Sequence, residues 1–345
     1  MKRHSSQDEK QKTGSFYTEN VDFLLSRFSK YLYGKNVIDP FVGSGHLLDF
    51  AEKHGAISLT GCDIKETDKF ETRDSLMNPP DMKDKYLLTN PPYLCKNKSK
   101  EKEVYEKWCQ NDKYKCHLVS LIGSGCKEGT IILPSNFLSE SNAKARNCFF
   151  SNYRIIEADY YYYQAFEGAT TGIVVFSFER WEEKEEMIFN IRIHFSKERI
   201  IEESICIKKK YKWLYGDEFF DYINKPEKIK FRMIKERDKK IPNTKIIISL
   251  LDKGKYKLGA HFNNGTPLIA KDTVFFTYQL DSSIEINEEI QRKIIDQYNF
   301  VYNFYREKYH GLFIANYMGA EQKLKSVKIS NMLLNSVAID ILGLK

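Results

Sequence analysis

An open, doubly wound α/β sheet is the fold class predicted for the first half of this sequence, with a second domain of α+β type behind it. Three observations predict it. Between residues 35 and 178, short apolar runs rich in β-branched residues alternate with stretches of helical periodicity, which is the pattern of parallel βαβ units. A Gly-x-Gly turn, Gly43-Ser44-Gly45, follows the first run where strand gives way to helix. Past Arg180 the alternation stops in a highly charged stretch, Trp181 to Met187, which reads as a domain boundary.

The runs that predict strands are Asn36–Asp39, Ile57–Asp63, Tyr86–Thr89, Thr130–Leu133, Tyr153–Glu157 and Ile173–Phe178. Open sheets of this kind bind ligands in the crevice at the carboxyl ends of their strands, so the residues just after each run are where chemistry belongs. Ahead of the first run, Val21, Leu24, Leu25 and Phe28 form the apolar face of an amphipathic helix. Thr18 precedes it as a good N-cap, which is a sufficient structural role. The same helix start is an anion site, able to hold a carboxylate while Phe16 or Tyr17 covers the ligand. A second helix, His46 to His54, is stopped by Gly55.

A chain of 345 residues with 42% hydrophobic content is long enough for two domains, placed at 1–180 and 181–345. The net charge of +7 is modest, and residues 181–345 hold 29 Lys and Arg against 23 Asp and Glu. The excess is densest from Lys208 to Lys255, which includes Lys208-Lys209-Lys210 and a helix-like stretch from Lys225 to Lys240. Interleaved Tyr211, Trp213, Tyr215 and Phe231, with a hairpin signal at Phe262 to Gly265, fit a nucleic-acid face. A solvated charged surface explains the same runs. Apolar runs fall short of the roughly 18 residues of a membrane span, and the charged N-terminus has no hydrophobic segment after it. The expectation is a soluble, cytoplasmic protein with no membrane partner. Seven cysteines, an odd number scattered singly, indicate neither a disulfide framework nor a metal site.

The strongest chemical signal is Asn90-Pro91-Pro92-Tyr93, directly after the run Tyr86–Thr89. An aromatic amine such as adenine N6 is a poor nucleophile, because its lone pair is delocalised into the ring. An enzyme frees that lone pair by accepting both amine hydrogens. The Asn90 side-chain oxygen and the Pro91 carbonyl suit the task, and Pro91 and Pro92 stiffen the backbone that aims them. Tyr93 supplies a flat face for an extruded base. The similar Asn78-Pro79-Pro80-Asp81 lacks the aromatic and reads as a loop.

Asp39, at the tip of the first run, can pair with the amino group of a methionine moiety, whereas a loop that cradles phosphate would avoid a carboxylate there. Gly43 and Gly45 let the backbone pass close to a ligand. The chain has no Gly-x-x-x-x-Gly-Lys-Ser/Thr loop, which disfavours nucleotide hydrolysis. Asp63, at the end of the second run, can accept hydrogen bonds from both ribose hydroxyls, a feature shared with NAD-binding sheets. Asp74 is a candidate for an adenine amine and Leu76 for packing on its ring, with an exposed helix-cap aspartate as the alternative for Asp74. Tyr160 to Gly172 is expected to connect the last two strands. There Phe166 is either the second wall of a base pocket, opposite Tyr93, or a core side chain, while most of Tyr160 to Tyr163 is structural.

Taken in order, these segments resemble the gamma group of N6-adenine DNA methyltransferases from restriction–modification systems. The resemblance covers residues 12–180 through Gly14 to Thr18, Asp39 to Gly45, Asp63, Asp74 and Asn90 to Tyr93, with Phe166 matching the position that stacks on the flipped base. It implies a Rossmann-like doubly wound methyltransferase sheet, a C-terminal α+β target-recognition domain at 181–345, and S-adenosyl-L-methionine as cofactor. The cofactor-binding set that follows is Phe16, Tyr17, Thr18, Asp39, Phe41, Gly43, Gly45, Asp63, Ile64, Asp74, Leu76 and Asn90. The implied partner is double-stranded DNA, for a monomer or weak dimer whose cognate restriction endonuclease acts on the same site without a stable complex.

Protein glutamine and RNA guanine-N2 methyltransferases also use this tetrapeptide or close variants. The glutamine enzymes place a helical domain before the sheet, where this chain has a short motif. A non-catalytic DNA-binding specificity protein is a further reading, opposed by the intact Asn90 to Tyr93 and Gly43 to Gly45. An NAD-dependent oxidoreductase is disfavoured because Leu48 stands where a third glycine would be.

Overall fold

The computed structural model describes residues 21–139, 143–163, 172–226, 228–234, 242–249, 258–264, 275–281, 283–317, 320–323 and 327–344. Nine strands form one sheet: β1 (Asn36–Asp39), β2 (Ser58–Asp63), β3 (Glu71–Thr72), β4 (Tyr86–Thr89), β5 (Glu128–Pro134), β6 (Tyr153–Tyr161), β7 (Ile173–Arg180), β8 (Glu186–His194) and β9 (Ile200–Lys208). Their spatial order is β3-β2-β1-β4-β5-β7-β6-β8-β9. Strands β1 to β5 pair in parallel, as the alternating pattern predicts. Strand β7 departs from it, running antiparallel between β5 and β6. β6 and β7 pair directly with each other, which makes β7 the returning arm of an antiparallel pair rather than a further parallel strand.

The sheet is wound on both faces, and β7 shows how. Side chains alternate across a strand. Ile173 and Val175 join a core with Val21, Leu24 and Leu25 of α1 (Val21–Leu25) and with Leu47, Leu48 and Phe50 of α2 (His46–Lys53). Phe176 and Phe178 point the other way, onto Phe149 of α5 (Ala143–Phe150), at ring distances of 5.8 and 5.3 Å. Two further helices follow β4, α3 (Glu103–Lys107) and α4 (Lys113–Ser120). In α2 the buried positions are Leu47, Leu48, Phe50 and Ala51, and Gly55 just beyond it has φ 83°, the left-handed conformation that ends a helix.

A buried charge cluster fastens the segment after α1 to the far side of the sheet. Arg27 reaches Glu157 at 2.8 Å, Asp159 at 2.8 Å and Glu202 at 3.0 Å, and donates to the Ala158 carbonyl at 3.2 Å. Tyr31 and Lys30 add a hydrogen bond of 2.9 Å and an ion pair of 2.7 Å to Glu157. Buried charges persist when paired in this way.

The boundary expected at Arg180 falls inside the sheet. β8 pairs with β6 and β9 with β8, so the first compact unit runs to Trp213, and Leu138–Ser141 groups with the second unit, Leu214–Lys345. The second unit has a four-stranded antiparallel sheet ordered β10 (Phe231–Ile234), β13 (Phe275–Leu280), β11 (Ile246–Ser249), β12 (Gly259–Phe262), with a short pair β14 (Ala315–Tyr317) and β15 (Ala320–Lys323). Its helices are α6 (Asp217–Ile223), α7 (Glu288–Lys308) and α8 (Val327–Leu342). Asn299 of α7 pairs with both backbone groups of Ala260 on β12, at 2.8 Å each. The stretch 225–240 is not a helix where it is described. Phe231–Ile234 pairs antiparallel with β13, and the Phe231 amide donates to Asn335 on α8 at 2.9 Å. Gly265 of the hairpin signal lies outside the described residues. Among the described residues, no helix is long and apolar enough to cross a membrane and no group of side chains has metal-ligand spacing.

Candidate active site

The tips of β1 and β4 are neighbours in the sheet, and a hydrogen bond ties them. Thr89, the last residue of β4, donates its hydroxyl to Asp39 Oδ1 at 2.7 Å, and the Phe41 amide donates to the same oxygen at 3.0 Å. Asp39 is fully buried, and its other oxygen, Oδ2, has no hydrogen-bond partner among the described residues. Burial pushes its carboxyl up to about 7, against the two hydrogen bonds and with help from the negative charge of Asp63. An unsatisfied buried oxygen of this kind is costly and calls for a donor or a cation.

The turn after β1 folds over the tip of β2. The Val42 amide bonds to the Cys62 carbonyl at 2.9 Å and the Gly43 amide to Asp63 Oδ2 at 2.9 Å, while Asp63 Oδ1 receives the Lys65 amide at 2.9 Å. Gly43 and Gly45 have φ of 51° and 88°. A methyl group at Gly45 would meet only the Phe70 ring at 3.6 Å, so backbone conformation rather than space calls for glycine there. Ile64, beside Asp63, is 61% exposed, an apolar side chain open at the strand tip. Phe41 is half-buried and lies edge-on to His117 of α4 at 4.8 Å. His117 is buried, neither ring nitrogen is hydrogen-bonded among the described residues, and burial lowers its titration to about 3, so the ring is neutral.

Asp74 caps its own turn: Oδ1 accepts the amides of Leu76 and Met77, both at 3.0 Å. Leu76 is buried in a small cluster with Val104, Tyr105 and Cys116, against which Phe41 packs.

Asn90 and Tyr93 are half-buried immediately beyond β4, and they touch. The Tyr93 hydroxyl lies within hydrogen-bond reach of two acceptors, Asn90 Oδ1 and, at 2.9 Å, the Ile132 carbonyl of β5, and shares its one hydrogen between them. The ring stands edge-on to Tyr114 at 6.0 Å, and burial raises the phenol well above its ordinary range, so it stays protonated. Asn78–Asp81 is a loop, as its composition predicts.

No family model matches this chain, and no curated protein matches it. Solved structures overlap it in part. A Vibrio vulnificus YJ016 protein described as a modification subunit of a type I restriction enzyme is 15% identical, with 59% of this chain and 58% of that one covered and a TM-score of 0.42. The type IIG restriction endonuclease BpuSI is 16% identical over 64% of this chain and 36% of its own, at a TM-score of 0.40. The type I restriction-modification system methyltransferase subunit from Streptococcus thermophilus is 14% identical over 60% and 52%, also at 0.40. The chain thus spans less than two thirds of the length of each. At these scores the overlap is partial, and the residues at the strand tips carry the chemical reading.

Asp39, Phe41, Gly43, Gly45, Asp63 and Ile64 therefore meet at the tips of β1 and β2, with Asn90, Pro91, Pro92 and Tyr93 beyond the adjoining β4. Asp74 and Leu76 follow β3, at the same sheet edge. Phe16, Tyr17, Thr18 and Phe166 lie outside the described residues. Sequence reasoning passed over Ser135 and Asn136, buried just beyond β5, the strand next to β4. The rule that chemistry follows an apolar run could have marked them. It also passed over Phe70 and the neutral His117, for which the sequence carries no signal.

Proposed function

We propose that this chain is a site-specific DNA methyltransferase that uses S-adenosyl-L-methionine to methylate adenine N6, serving as the modification enzyme of a restriction–modification system. The observation that carries the reading is the Thr89–Asp39 hydrogen bond, which couples the strand leading to the amine-accepting loop to the strand ending in an unsatisfied carboxylate. S-adenosyl-L-methionine supplies an electrophilic methyl group on a sulfonium. The residues fit it: Asp39 Oδ2 takes the ammonium of its methionine part, Asp63 the ribose hydroxyls, and exposed Ile64 an apolar ring face. The helix start at Thr18 would hold the methionine carboxylate, with Phe16 or Tyr17 covering the cofactor.

Asn90 Oδ1 and the Pro91 carbonyl accept the two hydrogens of the adenine amine and turn its lone pair outward, toward the methyl group. Because this demand is largest as the nitrogen attacks, the acceptors act on the transition state more than on binding. The Tyr93 ring, with Phe166 as the second wall, offsets part of the few kcal/mol that base extrusion costs. Phosphate contacts from residues 214–345, where 21 basic residues face 16 acidic ones, offset more.

Tritium transfer from labelled cofactor to duplex DNA, with RNA and protein substrates alongside, tests the proposal. Wild type should label adenine in DNA alone. Asn90→Ala should lower kcat by about 100-fold or more while cofactor affinity changes little. Label on protein or RNA, or equal loss of kcat and cofactor affinity in the variant, would overturn it.

A further inference from the structure

The loop directly after Tyr93 carries a lysine at every second position, Lys96, Lys98, Lys100 and Lys102, and its fold sets two of them apart from the others. Lys102 is spent on the loop itself, its ammonium donating to the Lys96 and Ser99 carbonyls. Backbone bonds complete the scaffold: Lys98 to Cys95 at 2.9 Å, Ser99 to Cys95 at 3.2 Å, Lys96 to Asn111 at 3.0 Å and Lys113 to Leu94 at 3.1 Å. Cys95 pairs with Asp112 as an isolated bridge. Lys96 meets Glu106 at 3.3 Å. Lys98 and Lys100 are exposed, and neither forms an ion pair with any described residue. The carboxylates of Glu101 and Glu103 stand next in the chain, so the loop is basic at its Tyr93 end and mixed beyond it.

Cys95, which anchors the Lys98 backbone, is two residues from Tyr93, a span of at most about 7 Å. A nucleotide whose base lies on Tyr93 keeps its phosphates attached, and those phosphates must pass close to this loop. We infer that Lys98 and Lys100 form a phosphate clamp for the DNA strand bearing the target base, holding the backbone on either side of the extruded nucleotide. The identity of the ligand rests on the DNA-methyltransferase reading. The backbone bond from Lys98 to Cys95 matters here, because a lysine on an anchored backbone loses less freedom on engaging a phosphate than one on a free chain.

The test is equilibrium binding of the full-length protein to an unmethylated fluorescent DNA duplex across potassium chloride concentrations, for wild type, K98Q/K100Q, K98R/K100R and a control, K184Q/K197Q. The control removes the same charge at exposed positions after β7 and β8. Each lost phosphate contact lowers the slope of log affinity against log salt by about 0.9, so K98Q/K100Q should lose about 2 units of slope. The arginine pair should keep the wild-type slope, and so should the control. Melting temperatures should match throughout, since all four positions are exposed. A K98Q/K100Q slope equal to that of wild type, or no lower than the control's, overturns the clamp. The two ideas fail separately. Wild type that binds duplex with the lysine-dependent slope but transfers no methyl group sinks the enzymatic reading and leaves the clamp standing, whereas methyl transfer with an unchanged slope does the reverse.

Discussion

Taking one oxygen from Tyr93 separates what its ring does from what its hydroxyl does. In the proposed reaction the ring is a surface for a base, whereas the hydroxyl, bonded to Asn90 Oδ1, orients the amide. Tyr93→Phe should therefore keep DNA affinity within about 2-fold and lower kcat by about 10-fold, as expected when about 1.4 kcal/mol of orientation is lost at the acceptor. Steady-state kinetics that show a raised KM with unchanged kcat would assign the hydroxyl to binding instead. Asp39 makes a prediction about protons. An ordinary aspartate titrates at about 4, and this one is raised to about 7 by burial, so between those values the unfolded chain has released a proton that the folded protein keeps. Stability of the cofactor-free protein should fall as pH rises from about 4 to about 7 and then level off. An ammonium beside Oδ2 favours the charged form, so cofactor affinity should strengthen over the upper part of that range. Calorimetry at about pH 6, in buffers of different protonation enthalpy, should read release of close to one proton. Asp39→Asn should abolish both effects, and their persistence would place the titrating group elsewhere.

Among the elements, the segment after α1 depends most on a single side chain. Arg27 satisfies Glu157, Asp159 and Glu202 together, and its removal leaves Glu157 and Asp159 buried with a lost partner. Arg27→Ala should cost about 3 kcal/mol, or a melting shift on the order of 6 to 12 °C for a unit of this size, readable by differential scanning fluorimetry. A shift below about 2 °C would mean that the cluster contributes nothing net. No feature of the sequence near Arg27 announces this contact, because its three partners lie more than a hundred residues away and meet it only once β6 and β9 are in place. The strands themselves were legible, since Val37 and Ile38, or Leu87 and Leu88, sit in compact apolar runs between turn residues. Strand direction was not, because β7 has the same composition in either orientation. β8 alternates cleanly at Met187, Phe189, Ile191 and Ile193, yet the charged residues from Glu182 to Glu186 ahead of it mimic a linker. At the site, residue types at strand tips could be read in advance. The Thr89–Asp39 and Tyr93–Asn90 bonds could not, because they depend on which strands become neighbours.

For the molecule as a whole, the position of the unit boundary decides which pieces can stand alone. Every partner described for Asp39 and Asp63 lies before residue 214, and the nine-stranded sheet is complete at Lys208. A chain ending at Trp213 should therefore fold and retain cofactor affinity within about 3-fold of the full protein, while losing the duplex contacts assigned to the remainder. A chain ending at Arg180 should behave differently. It lacks β8 and β9, so β6 becomes an edge strand whose Glu157 to Tyr161 backbone groups lose their pairing with β8, and Arg27 loses Glu202. Exposed strand edges of this kind recruit other chains. The shorter fragment should collect in the insoluble fraction or elute as large aggregates in size-exclusion chromatography, and the longer one as a single included peak. Equal solubility of the two would show that β8 and β9 are dispensable and that the fold closes at β7.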